Sequence, residues 1–155
     1  MEFYSFDTSS ILNGRRDLLP PGIFLTLWEN IEAMIAAGSI RSVEPVLEEL
    51  SRRDDEAHSW AKETPGLFLP LALDIQSATR SVLAAHPKLL GNGGGRNGAD
   101  PFVIGLAMCR TGGYVVTEET ATGNLLKPRI PDVCRALGVP CVNLIGFVTR
   151  QNWTF

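Results

Sequence analysis

Five short apolar runs, separated by segments of helical periodicity, constrain the fold of this chain more than any other feature. They fall at residues 2–6, 40–43, 67–71, 114–117 and 140–145. The intervening segments place apolar side chains at helical spacing. Ile23, Phe24, Leu27, Ile31, Met34 and Ile35 predict a helix from Pro20-Pro21 to about Ala37, ended by Gly38. Val46, Leu47 and Leu50 predict a second, from near Glu44 through the charged segment 52–56 and past Trp60. Ile75, Ala78, Val82 and Leu83 mark a third over about 74–85, after a break at Thr64-Pro65-Gly66. Asp100-Pro101 opens an apolar fourth, and Ile130-Pro131 a short fifth that Gly138 ends. Strands alternating with helices predict an α/β fold with a central, mostly parallel sheet between helical layers. The length of 155 residues, with no repeat or linker, suits a single domain over 1–155.

Four acids stand at the ends or starts of these elements. Asp7 follows the first strand, Glu119 follows the fourth, Asp100 opens an apolar helix, and Glu49 rides on the second helix. In an open parallel sheet, ligands bind outside the carboxyl ends of the strands. Carboxylates gathered there repel one another and need a cation to stay charged; for an all-oxygen donor set the expected ion is Mg²⁺ or Mn²⁺. Asp7 and Asp100 each have a structural alternative as a helix N-cap. At 100° per residue, Val43, Val46, Leu47 and Leu50 define a buried stripe, with Glu49 at its edge and Glu48 further round toward water. Periodicity leaves Glu118 and Glu119 open, because neighbours in an extended segment face opposite ways. Asp132, just after Pro131, reads as a partner of its own helix dipole.

Composition narrows the function classes. Net charge is −3, so any grip on nucleic acid must be local or balanced by bound metal. The cations are mostly arginine, which suits phosphate, although most read as solvated helix faces; Arg15, Arg16 and Arg96 are candidates to line the approach to the acids. Three cysteines, no Cys-x-x-Cys and no signal-peptide pattern point to a reducing, cytoplasmic setting. No apolar stretch is long enough to span a membrane. His58 and His86 lie in polar helical surroundings, which argues against zinc. The run Gly91–Gly98 reads as a flexible loop, and no Lys-Ser or Lys-Thr follows it as a phosphate-binding loop requires.

The segment Phe6-Asp7-Thr8-Ser9-Ser10-Ile11-Leu12 resembles the opening motif of PIN domains. Glu49-Leu50, Ala99-Asp100-Pro101-Phe102-Val103-Ile104-Gly105-Leu106-Ala107 and Val115-Val116-Thr117-Glu118-Glu119 resemble the later acidic motifs, in the same order. More narrowly, Leu27-Trp28-Glu29-Asn30-Ile31, Trp60-Ala61-Lys62 and 127–138 resemble the PIN-like branch labelled DUF4411. The resemblance implies a PIN-like three-layer fold and a Mg²⁺- or Mn²⁺-dependent ribonuclease. It is similar to the VapC group, toxins of bacterial toxin–antitoxin pairs. It also implies that Asp7, Glu49, Asp100 and Glu119 are the metal-site acids. Thr8 or Ser9 would orient Asp7 or a water, with Thr117 and Glu118 supporting Glu119. The fourth acid departs from the family, which prefers Asp there.

The expected partners are RNA, a cognate antitoxin and a second copy of the chain; Trp28 and Trp60 are interface candidates, with core packing the stronger reading for at least one of them. Two other readings compete. A PIN fold without turnover would act as a protein-binding module. A phosphohydrolase or phospho-acceptor would use Asp7 as nucleophile; the third residue of its Asp-x-Asp motif is here Ser9.

Overall fold

A computed structural model describes residues 1–53, 55–90 and 98–155. The apolar runs become β1 (Phe3–Phe6), β2 (Ile40–Val43), β3 (Phe68–Leu69), β4 (Gly113–Val116) and β5 (Cys141–Val142). They form one sheet of order β3-β2-β1-β4-β5, parallel at every pairing. The chain steps outward from β1 to β3, then crosses back to add β4 on the other side of β1. The order therefore reverses between β1 and β4. Connections leaving two strands at such a point diverge, and a crevice opens at their carboxyl ends.

The helices are α1 (Thr8–Asn13), α2 (Leu25–Ala36), α3 (Glu44–Ser51), α4 (Glu56–Lys62), α5 (Leu73–Ala85), α6 (Asp100–Met108), α7 (Ile130–Leu137) and α8 (Leu144–Arg150). They cover both faces of the sheet. Tyr4 and Phe6 meet Phe147 of α8 edge-on, with ring centroids 4.8 and 5.2 Å apart. From the opposite face Ser5 donates to the Val103 carbonyl of α6 at 2.8 Å. The architecture is thus a three-layer α/β/α sandwich. No helix among the described residues is long and apolar enough to cross a membrane.

Several elements differ from the sequence expectation, each for a local reason. The helix from Pro20 starts only at Leu25, because residues 21–23 form a turn first. The helix expected to run past Trp60 breaks into α3 and α4. Asp55 starts the second piece by accepting the His58 N–H at 3.3 Å. The last strand stops at Val142, where the Asn143 side chain accepts the Gly146 N–H at 2.8 Å and begins α8. After α1 the chain continues as one π-helical turn, Gly14–Leu18.

Trp28 and Trp60 pack together inside the molecule, centroids 5.2 Å apart, with the Arg15 guanidinium 4.7 and 4.5 Å from the two rings. The Trp28 indole donates to the Leu19 carbonyl at 2.6 Å. This is core packing, the role read from the sequence as the stronger one for at least one of the pair.

Helix α6 is buried along most of its length, as its nearly uniform apolar sequence requires. Gly105 lets it lie against α5: a Cβ there would stand 2.5 Å from Thr79 Oγ1 and 3.0 Å from the Thr79 backbone nitrogen. Helix propensity favours alanine over glycine by about 1 kcal/mol. Overpacking against backbone costs about 1–3 kcal/mol, so the clash wins. Gly105→Ala is therefore expected to lower Tm, by about 2–4 °C per kcal/mol for a chain of this size. A neutral or stabilising result in a thermal melt would show that the α5–α6 contact is looser than described.

Candidate metal centre

The pairing of β1 with β4 builds the site. Phe6 lies opposite Val116, so Asp7 and Thr117 leave the sheet side by side. The Asp7 N–H donates to the Val116 carbonyl at 2.9 Å and locks that register. The Thr117 and Ser9 hydroxyls both donate to Asp7 Oδ2, at 2.8 and 2.7 Å. The same two hydroxyl oxygens accept backbone N–H groups from the following loop, Glu119 at 3.1 Å and Glu118 at 2.9 Å. Two short relays thus orient Asp7 and fix the loop after β4. Asp7 occupies the N-cap position of α1 yet makes no side-chain capping bond.

Asp100 enters from the first turn of α6. It is the first helical residue and not the cap, which is Ala99. Ligand oxygens of Asp7, Asp100 and Glu119 all lie within 4.8 Å of one another. Asp7 and Asp100 are 2% and 4% exposed. This triad could hold a metal ion: it presents hard oxygen donors only, and carboxylates this close need a cation if all are to stay ionised.

The Glu118/Glu119 ambiguity is resolved by two helix starts. Glu118 turns away and accepts the Leu144 N–H at the start of α8, at 2.7 Å. Glu119 accepts the Ile130 N–H at the start of α7, at 3.0 Å, while its carboxylate stays in the acidic group. The longer side chain spans both tasks.

Glu49 lines the same cleft but stands outside the triad. Its Oε1 accepts the Thr8 hydroxyl at 2.6 Å and its Oε2 accepts the Ala99 N–H at 3.3 Å. It ties α1, α3 and the start of α6 together. Glu48, one residue earlier, is exposed.

The electrostatics follow from burial and crowding. Burial pushes the Asp7 carboxyl up, against the Ser9 and Thr117 hydroxyls. Burial, then the charges of Asp7, Glu119 and Glu49, push Asp100 up to about 10. Burial and Asp7 push Glu119 up, against the Ile130 N–H and Arg129. Burial raises Glu49, against its bonds from Thr8 and Ala99. Without a cation this group resists full ionisation.

Asp132 behaves oppositely. It accepts the N–H groups of Gly123, Arg129 and Thr122 at 2.8, 2.8 and 3.0 Å, and the Thr122 hydroxyl at 3.0 Å. Burial pushes its carboxyl up, but the donors outweigh it and hold the pKa down to about 2. Asp132 organises the loop between Glu119 and α7, a wider role than the helix dipole alone.

An open cleft of about 730 Å³ lies over the acids, lined also by Thr8, Ser9, Leu12, Asn13, Arg52 and Arg53. Of the arginines expected on the RNA approach, Arg15 and Arg16 lie elsewhere. Arg15 is 8% exposed, paired with Glu56 and stacked on the tryptophans, so it is not on the approach. Arg16 is exposed beside Asp17, 3.0 Å away, and borders a different, smaller cavity. Arg96 and most of the glycine run lie outside the described residues. The cations that do line the cleft, Arg52 and Arg53, sit in what the sequence presents as an ordinary charged stretch.

Fold and site together define a three-layer α/β/α protein with an acidic centre at the switch point of its sheet. The chain belongs to the family described as Domain of unknown function (DUF4411), which it matches over residues 4–155. No curated protein matches it.

The raised carboxyls set the sign of a pH effect. A group whose folded pKa exceeds its unfolded value stabilises the fold below the unfolded pKa and loses that contribution as pH rises through the folded one. The window runs from the ordinary 3.8 of an aspartate up to about 10 for Asp100. Metal-free protein should therefore lose stability as pH rises from about 4 to about 10, and saturating Mg²⁺ should flatten the loss. Asp100→Asn, which removes the cost of keeping this carboxyl protonated in the metal-free fold, should raise the metal-free Tm at neutral pH and abolish the Mg²⁺-induced shift. A lower metal-free Tm, or a Mg²⁺ shift that survives the substitution, would contradict this electrostatic picture.

Proposed function

We propose that this chain is a Mg²⁺- or Mn²⁺-dependent endoribonuclease with a PIN-like fold, the VapC-like toxin of a toxin–antitoxin pair. The observation that carries the reading is the convergence of Asp7, Asp100 and Glu119 at the β1/β4 switch point, under an open cleft. The resemblance of the four acidic motifs to those of PIN domains supplies the ribonuclease and toxin assignment, and an antitoxin as partner. An all-oxygen donor set matches the cation class.

When bound, the cation offsets charge on the phosphodiester and acidifies a water. The chain's own residues do the rest. Asp7, Asp100 and Glu119 would hold the ion, and Ser9 and Thr117 keep Asp7 in one orientation through bonds of 2.7 and 2.8 Å. Glu49, fixed by Thr8 and the Ala99 amide, faces the cleft and orients the attacking water. The water gives up a proton to solvent as its oxygen bonds to phosphorus, the bond from phosphorus to the leaving 3′ oxygen breaks, and that oxygen takes a proton from solvent in return.

Cleavage of RNA in Mg²⁺ or Mn²⁺ tests the reading. Asp7→Asn and Asp100→Asn should each lower the rate by more than about 100-fold, because even outer-shell partners of a metal site cost 10–100-fold. Glu49→Gln should fall within about that 10–100-fold range. Equal activity in wild type, Asp7→Asn and Asp100→Asn would remove the assignment.

A further inference from the structure

A bound cation meets the phosphate at the reaction centre, but it leaves the flanking phosphates of a polynucleotide facing an acidic cleft. The same cleft contains a cationic pair outside the metal centre. Arg52 and Arg53 are the cations among its described lining residues, alongside Asp7, Glu49, Asp100 and Glu119. Both are exposed. They close α3: the Arg52 N–H donates to the Glu49 carbonyl at 3.3 Å and the Arg53 N–H to the Leu50 carbonyl at 3.1 Å. Their backbone is thereby held in fixed relation to Glu49 and to the acids. The negative end of the α3 dipole favours cations at this position. Arg15 is buried in its tryptophan sandwich and Arg16 borders another cavity, so neither supplies this charge.

We propose that Arg52 and Arg53 form the phosphate-gripping wall of the cleft, holding a single-stranded polynucleotide by phosphates next to the scissile one. The inference rests on the nuclease reading and deepens it. Guanidinium forks bind phosphate oxygens two at a time, which fixes the strand's direction as well as its charge. The open cleft of about 730 Å³ has room beside the acids for a few nucleotides of one strand. Arg52 and Arg53 are positioning residues here; the chemistry stays with the acids.

The test is binding of a fluorescent, cleavage-resistant phosphorothioate single-stranded RNA in Mg²⁺, measured over a range of salt concentrations. The variants are R52Q/R53Q, R52K/R53K, each single glutamine variant, and Arg16→Gln as control. R52Q/R53Q should weaken binding by about 10-fold or more and flatten the log–log salt slope by about 1.4, about 0.7 for each phosphate no longer neutralised. R52K/R53K should keep the slope, and Arg16→Gln should behave as wild type. Each single variant should remove about half of the slope change, which keeps the test decisive if the double variant is unstable. The Mg²⁺-induced Tm shift should be the same in all of them. Wild-type affinity and slope in R52Q/R53Q, or no salt-dependent RNA binding by the wild type, would overturn the proposal. RNA bound through these arginines, with unmodified RNA of the same sequence left uncleaved in Mg²⁺, would defeat the nuclease reading and leave the gripping wall standing. Cleavage with R52Q/R53Q binding as wild type would do the reverse.

Discussion

The parallel pairing of β1 with β4 sets everything at the carboxyl edge of this sheet. With Phe6 opposite Val116, the next residue on each strand is Asp7 on one side and Thr117 on the other. A one-residue slip would send either side chain to the wrong face and break the bonds from the Ser9 and Thr117 hydroxyls to Asp7. Those hydroxyls in turn hold the amides of Glu118 and Glu119. One register therefore aims Asp7, shapes the loop after β4 and decides which glutamate returns to the acids. The other supports act on the same arrangement: Gly105 lets α6 bring Asp100 in, and Asp132 clips the loop that leads from Glu119 into α7.

The result is a fold that is locally at odds with its own charges. Asp132, by contrast, is satisfied by four donors. At the switch point Asp7, Asp100 and Glu119 are brought within reach of one another with burial and repulsion both raising their pKa. Such frustration at one place in an otherwise consistent structure is the physical mark of a site. Glu49 shows the contrast. It faces the same cleft, but both of its oxygens are occupied by hydrogen-bond donors, which suits it to orientation more than to ligation.

Much of this was legible in the sequence, and the illegible parts have identifiable causes. The alternation of strand-like and helix-like runs carried the sheet and its helices. Asp7 was marked by following a strand and Glu49 by its phase on α3. Local chemistry misled at the chain's end, where Leu144 and Ile145 extend an apolar run but the Asn143 cap turns them into a helix. Glu118 and Glu119 were inseparable because the choice depends on where α7 and α8 begin, which is tertiary information. Arg15 looked like a surface cation because nothing local reveals that Trp28 and Trp60 close on it. Arg52 and Arg53 looked like a solvated face, since the cleft they line is assembled from elements distant in sequence.

The central claim is that three carboxylates from β1, α6 and the loop after β4 form one cation site. A crystal soaked in Mn²⁺ and measured for anomalous scattering tests it most directly. The account predicts a peak enclosed by Asp7, Asp100 and Glu119, with at least one direct carboxylate contact at about 2.0–2.3 Å and water completing the shell. Glu49 should approach it only through water. A crystal without a peak among these residues, or with the ion bound elsewhere while the triad stays closed on itself, would contradict the account.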